Sequence, residues 1–113
     1  MNRMNEEIQG KINQLSTIEH NIQQFAAQKQ QFQSQLVEVE SAEKELETAK
    51  EAHKIIGNIM VSCDKETLQK ELKEKKEMLN LRLESFDKQE SKMKEKAQEL
   101  QKEVMDAMKE KKE

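Results

Sequence analysis

Few side chains in this sequence could carry out covalent or metal chemistry. Cys63 is the only cysteine, His20 and His53 are the two histidines, and Glu6-Glu7 is a carboxylate pair near the start. A thiol beside a base can act as a nucleophile, histidines at short helical spacing with Cys or carboxylate partners can hold zinc, and paired carboxylates can divide acid and base roles. None of these groups has the surroundings that such chemistry needs. Cys63 ends an apolar run and reads as a small buried hydrophobe, and with no second cysteine there is no internal disulfide. His20 and His53 are too far apart along a helical chain to share a metal, and neither has a Cys or carboxylate at a recognised ligand spacing. Glu6-Glu7 reads as helix surface, and no Gly-rich loop is available to cradle phosphate. The expectation is a protein that is not an enzyme and uses no metal and no cofactor.

Composition says what the chain is built for instead. Of 113 residues, 38% are charged and 34% hydrophobic, with three Phe and no Trp or Tyr. That is too little apolar material to fill a globular core, and the absence of Pro with only two Gly leaves almost nothing to interrupt a helix. The class is long helix or coiled coil in one structural unit. The 20 basic and 23 acidic side chains nearly cancel, to −3. Residues 1–52 hold five basic and nine acidic groups, whereas residues 64–113 hold fourteen of each. A nucleic-acid binder would show a basic excess along one face, so no nucleic-acid partner is expected. The tail Lys109–Glu113 alternates in sign and reads as a solvated, frayed end. No window approaches the ~18 apolar residues of a membrane span, and MNRMNEEIQG lacks a signal-peptide core, so a cytoplasmic protein without a membrane partner is expected.

The apolar residues fall on two heptad seams. With Ile8 at position a, the first runs Ile8, Leu15, Ile22, Lys29, Leu36, Glu43 at a and Lys11, Ile18, Phe25, Phe32, Val39, Leu46 at d. Nine of the twelve are apolar, a sustained coiled-coil signal. The intervening Gln-rich positions, such as Gln23, Gln24, Gln28, Gln30 and Gln31, read as a solvated helical face. The second seam runs Leu72, Leu79, Phe86, Met93, Leu100, Ala107 and, at the next heptad position, Lys76, Leu83, Glu90, Ala97, Val104. Asp64 is a good N-cap for that helix.

Between the seams lies KIIGNIMVSC (Lys54–Cys63), the one apolar run without helical spacing. Gly57-Asn58 in its middle predicts a two-residue β-turn joining strands at Lys54–Ile56 and Ile59–Cys63, because Gly and Asn tolerate positive φ. Helix 1 is then expected over about 5–52, the hairpin over about 54–63 and helix 2 over about 65–110. A reversal at Gly57-Asn58 places opposite one another residues whose numbers total about 115, which brings Leu15 to Leu100 and Leu36 to Leu79. The two seams therefore register as an intramolecular antiparallel coiled coil. Lys29, Glu43, Lys76 and Glu90 interrupt the seams and are expected to fix register while their stems snorkel to water.

A lone two-stranded hairpin is marginal in water. Ile55, Ile56, Ile59, Met60 and Val61 make sense there only if something covers them. Strands from other chains, closing into a sheet or barrel with the helices projecting outward, are the simplest cover; packing on the chain's own helix ends is the alternative.

Taken together, the Gln-rich first helix around Asn21–Leu46, the hairpin motif K-I-I-G-N-I-M-V (Lys54–Val61) and the second helix around Lys70–Gln101 resemble the β-class subunit of prefoldin, over nearly the whole chain. One hairpin rather than two is similar to the β class, not the α class. His53 departs from the pattern, since the family often carries an aromatic before the hairpin Lys. The resemblance implies a mostly α fold, a long antiparallel two-helix coiled coil joined by a short β-hairpin. It implies assembly with a prefoldin α-class subunit and further β copies into a hexamer, two α and four β, with a β-barrel platform and coiled-coil tentacles. It further implies an ATP-independent co-chaperone whose tips hold non-native client proteins and pass them to a group II chaperonin. On that reading Ile55, Ile56, Gly57, Asn58, Ile59, Met60 and Val61 are assembly residues.

For the tips the residues speak directly. Met1, Met4, Met105 and Met108 lie near the two termini, which an antiparallel fold brings together. With Ile8, Ile12, Leu100 and Val104 they would form an adaptable apolar patch, since flexible Met accepts many apolar shapes. The plainer reading makes Met1 the initiator and the rest seam or frayed-end residues. From a different class comes the alternative of a structural coiled-coil scaffold or spacer that oligomerises through its hairpin while its tips do nothing.

Overall fold

Four elements follow one another in the computed structural model, which describes residues 3–112 apart from the side chains of Met4, Lys111 and Lys112. They are helix α1 (Arg3–Thr48), strands β1 (Ala52–Ile56) and β2 (Ile59–Cys63), and helix α2 (Lys65–Lys112). The two strands pair antiparallel as the only sheet among the described residues.

The heptads decide which side of each helix is covered. Between Ile8 and Leu46 the twelve seam residues are the ones withdrawn from solvent, Lys11, Lys29 and Glu43 included, and every other position is exposed. The same holds on α2 between Leu72 and Ala107, where the eleven seam residues are covered and the rest are not. A stripe two positions wide per heptad is the geometry of a coiled coil, not of a helix packed into a globular core.

The described fold falls into two units. One comprises Met1–Lys29 with Ser85–Glu113, the other Gln30–Glu84. In the first, Ile8, Ala97 and Leu100 are buried, Phe25 meets Phe86 edge to face at 5.3 Å between ring centres, and Lys11 pairs with Glu103 at 3.4 Å. In the second, Val39, Leu46, Ala52 and Leu79 are buried, and the Arg82 guanidinium stacks over the Phe32 ring at 5.5 Å. In both, the early part of one helix meets the late part of the other, so the helices run antiparallel within each unit.

The polar interruptions of the seam pair with one another. Glu43 faces Lys76 at 3.6 Å, while Lys29 pairs with Asp87 and reaches Glu90 at 4.0 Å. A shifted register would set these charges against Leu or Phe, so they penalise wrong alignments more than they stabilise the right one. The Lys29 ammonium is held above its ordinary pKa, first by its hydrogen bond to Asp87; desolvation opposes this, and the charges of Asp87 and then Glu90 add smaller upward effects.

The turn is set by glycine. Gly57 has φ of +62° and no non-glycine residue among those described has positive φ, the sign pattern of a type II′ turn with Gly57 first and Asn58 second. A two-residue turn fixes the ladder, and each of the five pairs from Ile56↔Ile59 to Ala52↔Cys63 totals 115. Strand β1 is therefore two residues longer than the apolar run suggests. Ala52 is buried opposite Cys63, and α1 ends at Thr48, leaving residues 49–51 to lead into the strand.

Both helix ends beside the hairpin are capped. The Asp64 carboxylate accepts hydrogen bonds from the Thr67 backbone N–H at 3.2 Å and the Thr67 hydroxyl at 2.9 Å, which satisfies first-turn donors of α2 and contributes about 1 kcal/mol. Helix α1 has no basic residue in its last turn, but Lys65 of α2 donates to the Glu47 carbonyl at 3.2 Å. An unsatisfied C-terminal carbonyl is thus served from the neighbouring helix.

Candidate functional site

Two surfaces present apolar side chains to the outside, one in each unit. The first is the hairpin. Alternation along the strands puts Ile56, Ile59 and Val61 on the face that also carries Ala52, Lys54 and Cys63, and puts Ile55 and Met60 on the other with His53 and Ser62. Near the base the first face is covered, since Ala52 is buried, Cys63 is half-buried and Lys54 is tied to Glu71 of α2 by an ion pair. Beyond the base both faces are open. Ile55, Ile56, Ile59, Met60 and Val61 are exposed, from 41% at Val61 to 73% at Ile55. Packing on the chain's own helix ends is therefore not what covers these five. Such an exposed apolar pair of strands, with both outer edges unpaired among the described residues, has the properties of a surface at which another chain can pair.

The second surface lies at the end of the unit that joins the beginning of α1 to the end of α2. Ile8 and Leu100 are buried between the helices there, so they close the end of the coiled coil and present no side chain outward. This differs from a tip patch in which both face a client, because each occupies a seam position. Val104, also on the seam, is half-buried. Met105 is 60% exposed, Met108 51% and Ile12 39%. Met1 and the Met4 side chain lie outside the described residues. The groove between the helices at this end is lined chiefly by charged groups, Glu7, Lys11, Glu103, Asp106 and Glu110, together with Ile8 and Ala107. Among the described residues, the exposed apolar side chains at this end are Met105, Met108 and Ile12.

Three further exposed apolar residues, Val37, Met78 and Leu81, belong to neither surface and were not singled out from the sequence. Their signal was an apolar side chain off the heptad seam. The candidate chemical groups remain scattered: His53 stands opposite Ser62 on the hairpin, His20 is exposed on α1, and no group of three His, Cys, Asp or Glu among the described residues could hold a metal ion. No helix among them is long and apolar enough to cross a membrane.

Comparison with known proteins agrees with this geometry. Residues 9–111 match the family model described as Prefoldin subunit. The chain is 35% identical over 105 residues to prefoldin subunit beta of Pyrococcus horikoshii, covering 90% of each chain. It is 34% identical over 105 residues to prefoldin subunit beta of Sulfurisphaera tokodaii, covering 90% of this chain and 84% of that one. Among solved structures, the prefoldin beta subunit from Thermococcus strain KS-1 superposes with a TM-score of 0.85 at 32% identity, over 95% of this chain and 96% of that one.

Proposed function

This chain belongs to the prefoldin family of chaperone subunits, and we propose that it works as a β-class subunit that captures non-native proteins without nucleotide and prevents their aggregation. As such a subunit it assembles with other prefoldin subunits. The proposed form is a hexamer of two α-class and four β-class chains in the cytoplasm, with captured clients released to a group II chaperonin.

The observation that carries the reading is the exposed hairpin. Burying any one of its five apolar side chains is worth roughly 1.5–3 kcal/mol when complete. Since they are on average about three-fifths exposed, covering all five offers roughly 5–9 kcal/mol per hairpin before association costs. That supports a permanent platform of strands from several chains, with Gly57-Asn58 keeping the turn tight and the register fixed.

Capture is assigned to the other surface. Met105, Met108 and Ile12 offer apolar contact in the closed state, with Met1 and Met4 as further candidates, and Ile8, Leu100 and Val104 contribute if the end of the seam opens around a client. A contact of a few hundred Å² yields several kcal/mol at ~25 cal/mol per Å² before ordering costs, so useful affinity needs several subunits on one client. The burial of Ile8 and Leu100 is the one observation that favours a spacer with inert tips.

A single experiment separates the two. The chain is assembled with a prefoldin α-class subunit, its mass is measured under native conditions, and a denatured model protein is diluted into it without nucleotide. Suppressed aggregation that is lost when residues 1–9 and 104–113 are removed, with assembly mass per subunit otherwise unchanged, supports capture. An assembled protein that never suppresses aggregation is a spacer.

A further inference from the structure

We propose that oxidation of Met105 and Met108 to the sulfoxide switches off the capture surface, so that a hydroperoxide acts as a reversible off-signal; the inference rests on the capture reading above. The observation behind it is how the apolar side chains at this end are divided. Ile8 and Leu100 hold the two helices together from inside the seam and carry no oxidisable atom, whereas among the described residues the most exposed apolar side chains at this end are the two thioethers, at 60% and 51%, ahead of Ile12 at 39%. Met105 and Met108 are three residues apart, so both sulfurs lie on one side of α2. Structural cohesion thus rests on side chains that an oxidant leaves unchanged, and the larger share of outward apolar contact on two that it alters.

The chemistry balances without help from the protein. A thioether sulfur lone pair attacks the terminal hydroxyl oxygen of the peroxide, the S–O bond forms as the O–O bond breaks, and the departing oxygen takes up the proton of the transferred one and leaves as water or an alcohol. The sulfur loses two electrons and the peroxide gains them. A flexible apolar side chain becomes a polar, strongly hydrogen-bonding one, which a methionine sulfoxide reductase can restore. Neither residue occupies a seam position, so the added oxygen projects into water and leaves the helix pairing intact. Met93 sits half-buried in the seam and is shielded by comparison. Met60 and Met78 are exposed in the chain by itself, and Met60 in particular lies on the hairpin, where its oxidation would act on assembly instead.

The test uses the chain assembled with an α-class subunit, in wild-type form, as Met105→Leu/Met108→Leu, and as Met60→Leu/Met78→Leu. Each is treated with hydrogen peroxide, its sulfoxides are located by peptide mass, its assembly mass is measured, and its suppression of aggregation is compared with its own untreated sample. The expected result is a loss of about tenfold in the protective potency of wild type and of Met60→Leu/Met78→Leu at unchanged assembly mass. That loss is restored by sulfoxide reductase and absent from Met105→Leu/Met108→Leu. Full oxidation of Met105 and Met108 in an assembled protein that protects as before overturns the proposal, as does an equal loss in Met105→Leu/Met108→Leu. If untreated wild type gives no protection, the capture reading itself is wrong and the switch falls with it.

Discussion

Replacing both Ile59 and Val61 with Asp separates folding from assembly. Within the chain the cost is small, because both side chains are already exposed on β2 and a carboxylate at position 61 stands directly opposite Lys54, where a cross-strand pair returns roughly 0.2–1 kcal/mol. The coiled coil does not involve either residue, so helical circular dichroism and its melting point should stay close to those of the parent. In an assembled platform the balance is different. Covering the exposed part of Ile59 and Val61 supplies roughly 1.5–3 kcal/mol per hairpin, all of which is lost. Two carboxylates held between strands without partners cost several kcal/mol more. A deficit of about 5 kcal/mol per hairpin corresponds to more than a thousandfold in each association step. Sedimentation velocity of the chain mixed with an α-class subunit should therefore show intact helical chains that no longer assemble. A double variant that sediments at full assembly mass would refute the argument that the hairpin faces are the interface.

Three further outcomes follow from the seams. Leu79 is 1% exposed and Leu81 67%, so Leu79→Ala should cost about 2–5 kcal/mol in thermal or denaturant unfolding, while Leu81→Ala stays within about 0.5 kcal/mol. Glu43→Lys sets like charges together in the seam and should destabilise the coiled coil, whereas Glu43→Lys with Lys76→Glu should recover most of the loss; with both groups partly exposed, the coupling in a double-mutant cycle is about 0.2–1 kcal/mol. Because the Lys29 pKa is raised in the folded chain, its stabilising share is complete below the ordinary lysine value of 10.5 and disappears as pH climbs through the folded value. Melting curves across that alkaline range should thus fall more steeply for the parent than for Lys29→Met, and parallel curves would remove Lys29 from the account.

Where a periodic pattern dictated the structure, the sequence was readable to the residue. The twelve seam positions of α1 and the eleven of α2 are the covered ones, because a helix with two contact positions per heptad has only one way to hide them. The strand β2 was legible over its full length from its apolar run, but β1 only over Lys54–Ile56, since Ala52 and His53 carry no strand signal of their own. Their place follows from register: a two-residue turn and a five-residue β2 demand five residues opposite. Lys65 as the cap of α1 was invisible for a different reason, as that hydrogen bond joins residues 18 apart and no local pattern encodes it. At the end near the chain termini, residue type located the methionines, yet composition alone did not divide them from Ile8 and Leu100. The division comes from heptad phase: Ile8 and Leu100 are in phase with the seam, and Met105 and Met108 are not.

The common register of hairpin and helices also constrains how such a chain can change length. Every ladder pair from Ala52↔Cys63 to Ile56↔Ile59 totals 115, and the cross-helix pair of Lys11 with Glu103 falls within one of that value. Inserting one residue into α1 alone would rotate everything before it by about 100° relative to its partner, turning the Gln-rich side inward and Ile8 outward. The tolerated change is a pair of insertions or deletions, seven residues in each arm at matching distances from Gly57-Asn58. Lineages of this fold should accordingly vary in whole heptads taken simultaneously from two places in the sequence some distance apart, and an alignment scoring each gap independently would misplace both.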